Sequence, residues 1–387
     1  MPTVNVNIQP AILTWALSQT SEEKLGAKLM NNVKQWLDGS KSPTFNQIED
    51  FSKKSQIPLG YFFLQTPPVE QIDLLEYRTL DSVELVNPSR NLIDTIHEME
   101  AVQDWMVDYK REMKYDAVAV VGSLKGHSDV ETIAGKIRAD LGLEKGWYRE
   151  CADSSWAFNK VRKLLEECGV VVMMSGIVGK NTHRALDVNE FRAFAMVNDM
   201  APLIFINGAD SLGGRLFSLF HEIVHIWLGE NDLYNDRRYS GEGVKAIEVI
   251  CNAVAGELIV PKAHFIENWM KNTNDDTYQK IKELAKYFHC SESVLARRAL
   301  DNDKISKSIY NQVVSDAIEA YIQSKKEKGS GGDYYRVARS KLDGVFVRAL
   351  CESVSSGRTS YTEAYRLTNT TSKTFSEVAS GLRGVLW

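Results

Sequence analysis

The feature that most restricts the fold of this chain is a pair of histidines with a glutamate between them, set in a strongly apolar segment. Residues 221–225 read His-Glu-Ile-Val-His, and the residues around them, from 216 to 229, are mostly apolar. Two side chains four residues apart on a helix lie on the same face, so His221 and His225 can bind one metal ion. Glu222 would lie beside that metal, where it can take a proton from a metal-bound water. The segment therefore predicts a buried helix whose polar groups are compensated by a zinc ion.

A catalytic zinc ion takes three protein ligands and keeps its fourth position for water, so a third ligand is expected elsewhere. Glu248 follows on the next predicted helix, over residues 243–260, and Asn252 lies one turn further along the same face. This spacing predicts Glu248 as the third ligand and Asn252 as an amide that orients an imidazole. Glu257 is an alternative ligand, although it falls on a different face of the helix from Glu248. A core helix with two hydrogen-bonded histidines and no metal is the simpler alternative.

The amino-acid composition is that of an ordinary globular protein, and it restricts the classes of partner that the chain can bind. Of its 387 residues 44% are hydrophobic, which is enough to build a core. The formal net charge of -5 excludes a general basic coat for nucleic acid. The five cysteines are odd in number and form no CxxC pair, so neither a disulfide scaffold nor a thiolate zinc site is expected. Without a signal peptide or an apolar run of about 18 residues, we expect a soluble, cytoplasmic protein that enters no membrane.

Secondary-structure patterns predict an α+β fold that is mainly helical. Short β-rich runs over residues 169–174, 191–197 and 202–206 stand between helical segments and predict a small mixed sheet. The loop between the two proposed metal-binding helices carries side chains that could stabilise the transition state of a hydrolytic reaction, and the sequence does not choose among them. These candidates are Tyr234, Arg237, Arg238 and Tyr239.

Two segments around the histidine pair resemble the ImmA/IrrE family of metallo-endopeptidases. The first is a strand ending in Asn207 and then a helix over 215–225, similar to the family's Arg-x-Phe-Thr-Leu-Ala-His-Glu-Leu-Gly-His helix. The second covers 248–261 and is similar to Glu-x-x-Ala-Asn-x-Phe-Ala-Ala-x-Leu-Leu-x-Pro. Departures at Ile250, Cys251 and Val254 change packing volume rather than ligand chemistry.

The resemblance implies a zincin-like metallopeptidase domain that holds one Zn²⁺ ion. It implies that His221, His225 and Glu248 are the ligands and that Glu222 is the catalytic base. It also implies a protein substrate, commonly a DNA-binding repressor, and a role in a mobile-element, stress-response or toxin–antitoxin switch, in which a toxin encoded nearby is another partner. The alternative function is a non-catalytic regulatory or antitoxin-like protein that binds DNA or sequesters a partner protein.

The chain is predicted to divide into four parts. Residues 1–68 resemble an Xre-type helix-turn-helix, 69–270 form the zinc metallopeptidase domain with a helical lead-in, 271–328 form a helical, helix-turn-helix-like segment, and 333–387 form a C-terminal helical unit. In the first part, the usual pair of central helices is compressed into residues 21–36, which carry three lysines against two glutamates. Reading duplex DNA needs a free recognition helix and several basic contacts to phosphate. We therefore expect residues 1–68 to bind protein, either the catalytic domain of the same chain or the substrate, rather than DNA.

Overall fold

The structure, a computed structural model of the full sequence, describes residues 4–20, 22–68, 88–234, 246–327 and 334–383. The chain folds as two compact units, Met1–Ile96 and His97–Trp387. This division does not test the predicted boundaries at 68, 270 and 328, which stay predictions.

The described part of the first unit is helical and encloses one apolar core. Its elements are α1 (Pro10–Ser18), α2 (Glu22–Leu25), α3 (Ala27–Leu37), α4 (Phe45–Ser55) and a short 3₁₀ helix (Leu59–Phe63). The segment 21–36 contains a helix of one turn that meets α3 at Gly26, whose φ of 75° suits a glycine. α4 begins with a capping box, in which the side chains of Thr44 and Gln47 each accept the other residue's backbone N–H.

The second unit surrounds a small mixed sheet with helices, which confirms the prediction of a mainly helical α+β fold. The helix α5 (Arg90–Glu112) begins in the last residues of the first unit and continues into the second. The other described helices of the second unit are α6 (Val130–Leu141), α7 (Ser154–Glu167), α8 (Leu212–Leu228), α9 (Ala246–Ile259), α10 (Lys262–Lys271), α11 (Thr277–Tyr287), α12 (Glu292–Asp301), α13 (Lys307–Glu327), α14 (Tyr334–Lys341), α15 (Gly344–Ser355), α16 (Tyr361–Leu367) and α17 (Ser372–Arg383). A 3₁₀ helix, Trp147–Glu150, precedes α7.

The sheet has the strand order β1-β3-β2-β4. Its strands are β1 (Val171–Ser175), β2 (Ala193–Met196), β3 (Leu203–Asn207) and β4 (Asp232–Tyr234). β3 pairs parallel with β1 and antiparallel with β2, and β4 pairs antiparallel with β2. β2 and β3 are buried along their whole length, so they read as continuous apolar runs rather than alternating patterns. The three predicted strands are confirmed, whereas β4 is too short to give a strand pattern of its own.

Helix α8 runs through the core of the second unit and is fixed at both ends. The Ser211 side chain caps its start by accepting the Gly214 N–H at 3.0 Å, and Gly229 ends it with a φ of 76°. α8 begins four residues earlier than the sequence pattern suggests, because Gly213 and Gly214 weaken the helical signal of its first turn. At Gly213 the helix touches another backbone: an added Cβ atom would lie 2.7 Å from the amide nitrogen of Ser291, the N-cap of α12.

The outer edge of β1 is covered by side chains. The amide of Val172 donates to Oδ2 of Asp343 at 2.9 Å, and its carbonyl accepts from the Arg162 guanidinium at 2.7 Å. Asp343 also caps α15 by accepting the N–H of Phe346 at 2.8 Å. One carboxylate therefore joins the sheet to the C-terminal helices. Complete burial raises the pKa of Asp343, although Arg162 opposes that shift.

Among the described residues, no single helix is both long and apolar enough to cross a membrane. The consecutive helices α9 and α10, bent by 53°, pass the same test only when taken together, by length and composition alone. Residues of α9 such as Val254 and Leu258 are buried in the core of the second unit, which accounts for the apolar character of this helix.

Candidate metal centre

The two histidines of the motif lie one turn apart on the buried side of α8. Of their total surface, 0% is exposed for His221 and 1% for His225. Their Nε2 atoms are 3.1 Å apart, and the ring centroids are separated by 4.9 Å. The four-residue spacing on a helix produces this convergence, and the apolar residues around the motif bury it. Two ring nitrogens are thus held close together among buried side chains of the second unit.

Glu248 approaches the histidine pair from the first turn of α9. Its Oε2 lies 3.3 Å from Nε2 of His221, and its Oε1 lies 3.6 Å from Nε2 of His225. The Glu248 side chain is 23% exposed, whereas the imidazoles are almost completely covered. The group is therefore closed on the side of α8 and reachable from solvent beside Glu248.

The spacing of these three side chains fits a zinc ion. A tetrahedral zinc with ligands at about 2.0–2.1 Å keeps neighbouring ligand atoms about 3.3–3.4 Å apart. The two Nε2 atoms are 3.1 Å apart, and each has one carboxylate oxygen of Glu248 at a similar distance, Oε2 at 3.3 Å from His221 and Oε1 at 3.6 Å from His225. Two imidazoles and a carboxylate are also a ligand set that zinc accepts. Within the described residues, His221, His225 and Glu248 form a group whose ligand atoms all lie within 4.8 Å of one another.

Asn252 fixes the orientation of the first imidazole. Its Nδ2 donates to the backbone carbonyl of Glu248 at 2.5 Å, which leaves Oδ1 facing Nδ1 of His221 at 3.1 Å. An amide oxygen can only accept, so Nδ1 of His221 carries the proton and Nε2 keeps its lone pair. The lone pair needed for a metal bond therefore points to the side where His225 and Glu248 converge.

Glu222 follows His221 directly on α8 and is completely buried. A buried carboxylate needs electrostatic compensation, which a nearby cation supplies. The position of Glu222, adjacent to the first histidine of the pair, is compatible with a role in proton transfer next to a bound metal.

Glu257, the alternative third ligand, does not join this group. Its carboxylate accepts from Arg298 at 3.0 Å and from the backbone N–H of Lys262 at 3.0 Å. Arg138 donates to the Glu257 backbone carbonyl as well. Burial lowers the pKa of the Arg298 guanidinium, and the Glu257 charge partly offsets that effect. Glu257 is therefore one member of a buried ion cluster that holds the C-terminal end of α9.

The remaining candidates are placed as follows. His264, which follows α9 closely in the sequence, has its Nδ1 2.8 Å from the Tyr148 hydroxyl. Cys251 is completely buried on α9. Arg237, Arg238 and Tyr239 lie outside the described residues, and of Tyr234 the structure describes only the backbone, in β4.

The sequence analysis missed the arginines that hold α9 in place. Arg138 comes from α6 and Arg298 from α12, and both bind Glu257. The sequence around either arginine does not predict a contact with α9, because Arg138 and Arg298 are 119 and 41 positions away from Glu257. The one feature of the sequence that could have indicated these contacts is Glu257 itself, because an acidic residue in an apolar helix needs a partner.

Comparison with known proteins characterises two segments of the chain. Residues 165–300 match a family model described as the IrrE N-terminal-like domain, of the ImmA/IrrE type. Residues 342–381 match a family model described only as a domain of unknown function (DUF8813). No curated protein and no solved structure matches the chain. The first match includes both metal-site helices, α8 and α9, and it points to a metallopeptidase.

Proposed function

We propose that this chain is a zinc-dependent endopeptidase that cleaves a protein partner. The observation that carries the proposal is the spacing of His221, His225 and Glu248, which suits a tetrahedral zinc ion. The same residues lie inside the segment that matches a metallopeptidase family. Three protein ligands leave a fourth position for a water molecule, which is the arrangement of a catalytic rather than a structural zinc site.

In this mechanism each side chain has a separate task. When bound, the zinc ion would polarise the scissile carbonyl and lower the pKa of a water molecule towards about 7. Asn252 holds the His221 ring with its Nε2 lone pair facing the site. Glu222 is proposed to take the proton from the attacking water and to pass it to the leaving amine. Glu222 is completely buried, so its carboxylate is not in contact with bulk solvent. Tyr234, Arg237, Arg238 and Tyr239 remain the candidates for stabilising the transition state.

Two features support a protein as the substrate. β4 is the terminal strand of the sheet in the described part of the chain and packs on α8, so an extended peptide could add to its edge. In the first unit, Phe45 and Phe63 stack at 6.2 Å with 41% and 43% of their surfaces exposed. Exposed stacked aromatics suit contact with another protein. The proposed partner is a DNA-binding repressor or a toxin encoded nearby.

The test is cleavage of proteins encoded by neighbouring genes. We expect the wild-type protein to cut one of them and the Glu222→Gln variant, with the same zinc content, to leave it intact. The exposed Glu230, just past the end of α8, gives a matched control, and Glu230→Gln should cut at the wild-type rate. If Glu222→Gln cuts or supports biological switching as the wild type does, the non-catalytic alternative is the better explanation.

A further inference from the structure

The C-terminal helices α15, α16 and α17 share an apolar core, to which α5 also contributes: the ring of Trp105 lies 5.7 Å from that of Phe346, and α17 contacts α14 as well. That core consists of buried side chains from all three helices, among them Phe346, Leu350, Ala364, Leu367, Phe375 and Val378. The separate family match over 342–381 covers almost the same residues. A supporting helix followed by two helices joined by a tight turn is the organisation of a helix-turn-helix domain.

The turn between α16 and α17 is short and well bonded. It spans residues 368–371, and the backbone N–H of Thr370 donates to the Tyr365 carbonyl at 3.0 Å. Asn369 takes a φ of 51°, which asparagine tolerates better than most residues. The rings of Tyr365 and Phe375 meet edge to face at 5.6 Å. These contacts fix the direction of α17 with respect to α16.

α17 presents a polar face with the pattern of a recognition helix. Its first, second, fifth, sixth and ninth residues are exposed, namely Ser372, Lys373, Ser376, Glu377 and Ser380. The residues between them are buried, namely Thr374, Phe375, Val378 and Ala379. Serine side chains are short enough to let a helix enter the major groove, and their hydroxyls both donate and accept hydrogen bonds. Glutamate can accept from a cytosine amino group in the same groove.

The charge of this segment is opposite to that of the chain. Residues 344–383, which comprise α15–α17, contain five Lys or Arg and three Asp or Glu, a net charge of +2, whereas the whole chain carries -5. Arg366 of α16 and Lys373 of α17 are exposed on either side of the turn. A basic segment in an acidic protein is the electrostatic signature of a nucleic-acid contact.

In the other described helix pairs, some basic side chains form ion pairs with acids of their own helix. α12, the second helix of the 271–328 segment, exposes Arg297 and Asp301, and these two side chains bind each other at 2.9 Å. In the first unit, Lys53 and Lys54 form ion pairs with Glu49 and Asp50 on their own helix. Residues 1–68 carry six lysines against five acids, a net charge of +1.

We propose that α15–α17 bind duplex DNA, with α17 in the major groove and with Arg366 and Lys373 on phosphates. The proposal goes beyond the peptidase function and does not depend on it. Asp343 ties these helices to β1 of the second unit, so DNA bound there would hold the proposed peptidase site close to other proteins on the same DNA.

The experiment uses the full chain and a fluorescein-labelled 30-base-pair duplex of mixed sequence. Anisotropy titrations over 50–200 mM salt should give binding whose affinity falls steeply with salt, by about 0.9 log units per tenfold increase in salt for each phosphate contact. We expect the double variant Arg366→Ala, Lys373→Ala to bind more weakly and to reduce the magnitude of this slope by about two. Far-UV circular dichroism of each variant verifies that the helices are retained.

The matched control removes two charges from the competing unit. Lys28→Ala with Lys34→Ala, on exposed positions of α3, should leave the affinity and the salt slope unchanged. The proposal is overturned if the α3 variant weakens binding while the Arg366→Ala, Lys373→Ala variant does not. It is also overturned if the protein does not bind the duplex at 50 mM salt. A selection from random duplexes tests the groove contact. Ser376→Ala should relax the selected sequence at one position, whereas an unchanged sequence and affinity would remove α17 as the reading helix.

Discussion

Asn252 accepts a hydrogen bond from Nδ1 of His221 at 3.1 Å while donating to the backbone carbonyl of Glu248. One amide thus sets the tautomer of one proposed ligand and is bonded to the backbone of another. Because the two ligands come from different helices, this side chain makes the geometry of the site depend on the packing of α9 against α8.

Replacing this amide should weaken metal binding without abolishing it. We expect Asn252→Ala to lower zinc affinity by about 10–100-fold, because the His221 ring loses the partner that orients it. Competition with a chromogenic chelator measures the affinity. Val249 lies on the same helix and is 56% exposed, so Val249→Ala should bind zinc as the wild type does. Equal affinities for the two variants would show that Asn252 does not orient a ligand.

The purified protein should contain about one zinc ion per chain. The double variant His221→Ala, His225→Ala should contain almost none, because it loses two of three ligands. Elemental analysis gives the stoichiometry, and His183→Ala, at an exposed histidine, is the control that should keep its zinc. Undiminished zinc in the double variant would contradict the assignment of the site.

Gly213 should be essential for the close packing of α8 on α12. A Cβ atom there would meet the backbone nitrogen of Ser291 at 2.7 Å, and backbone atoms cannot move aside as a flexible side chain can. We expect Gly213→Ala to destabilise the protein by about 1–3 kcal/mol. Gly135, in α6, has no atom within 4 Å of an added Cβ. Gly135→Ala should therefore be neutral or stabilise by up to about 1 kcal/mol. Urea denaturation compares the two, and a similar free energy of unfolding for both would refute the close approach.

Stability should fall as the pH rises through the range 4.5 to 6 because of Glu166. Burial, together with the Asp343 carboxylate, raises the pKa of Glu166 from 4.5 to about 6, although Arg162 acts in the opposite direction. In this window the folded state binds more protons than the unfolded state, so each rise in pH favours unfolding. Glu166 titrates together with Asp343, whose pKa burial also raises, so the stabilisation is present in full below the window and is lost as the pH rises through it.

The variant Glu166→Gln isolates that contribution. It cannot ionise, so its free energy of unfolding should change less between pH 4.5 and 7 than that of the wild type. Glu167→Gln removes a charge from the exposed neighbouring position and should keep the wild-type dependence on pH. Urea denaturation at several pH values makes the comparison, and parallel curves for wild type and Glu166→Gln would exclude Glu166 as the source.

The sequence could predict those parts of the site that depend on helical spacing. His221 and His225 converge because residues four apart share a helix face, and Asn252 lies one turn beyond Glu248 for the same reason. Contacts between distant segments could not be predicted. The bond from Val172 to Asp343 joins residues 171 positions apart, and Arg298 reaches Glu257 over 41 positions. A local sequence pattern predicts which face of a helix is apolar. It does not predict which polar group on a neighbouring helix or strand will contact that face.

The covered edge of β1 has a consequence for any shortened form of this protein. Without Asp343, the amide of Val172 would lose its partner, and the strand would present free hydrogen-bonding groups beside apolar residues. Such an edge is a template on which a strand of a second molecule can pair. A chain that ends after α13 would keep the histidine pair and Glu248, yet it would be prone to self-association through its sheet. The C-terminal helices therefore also protect the sheet of the second unit from pairing with a second molecule.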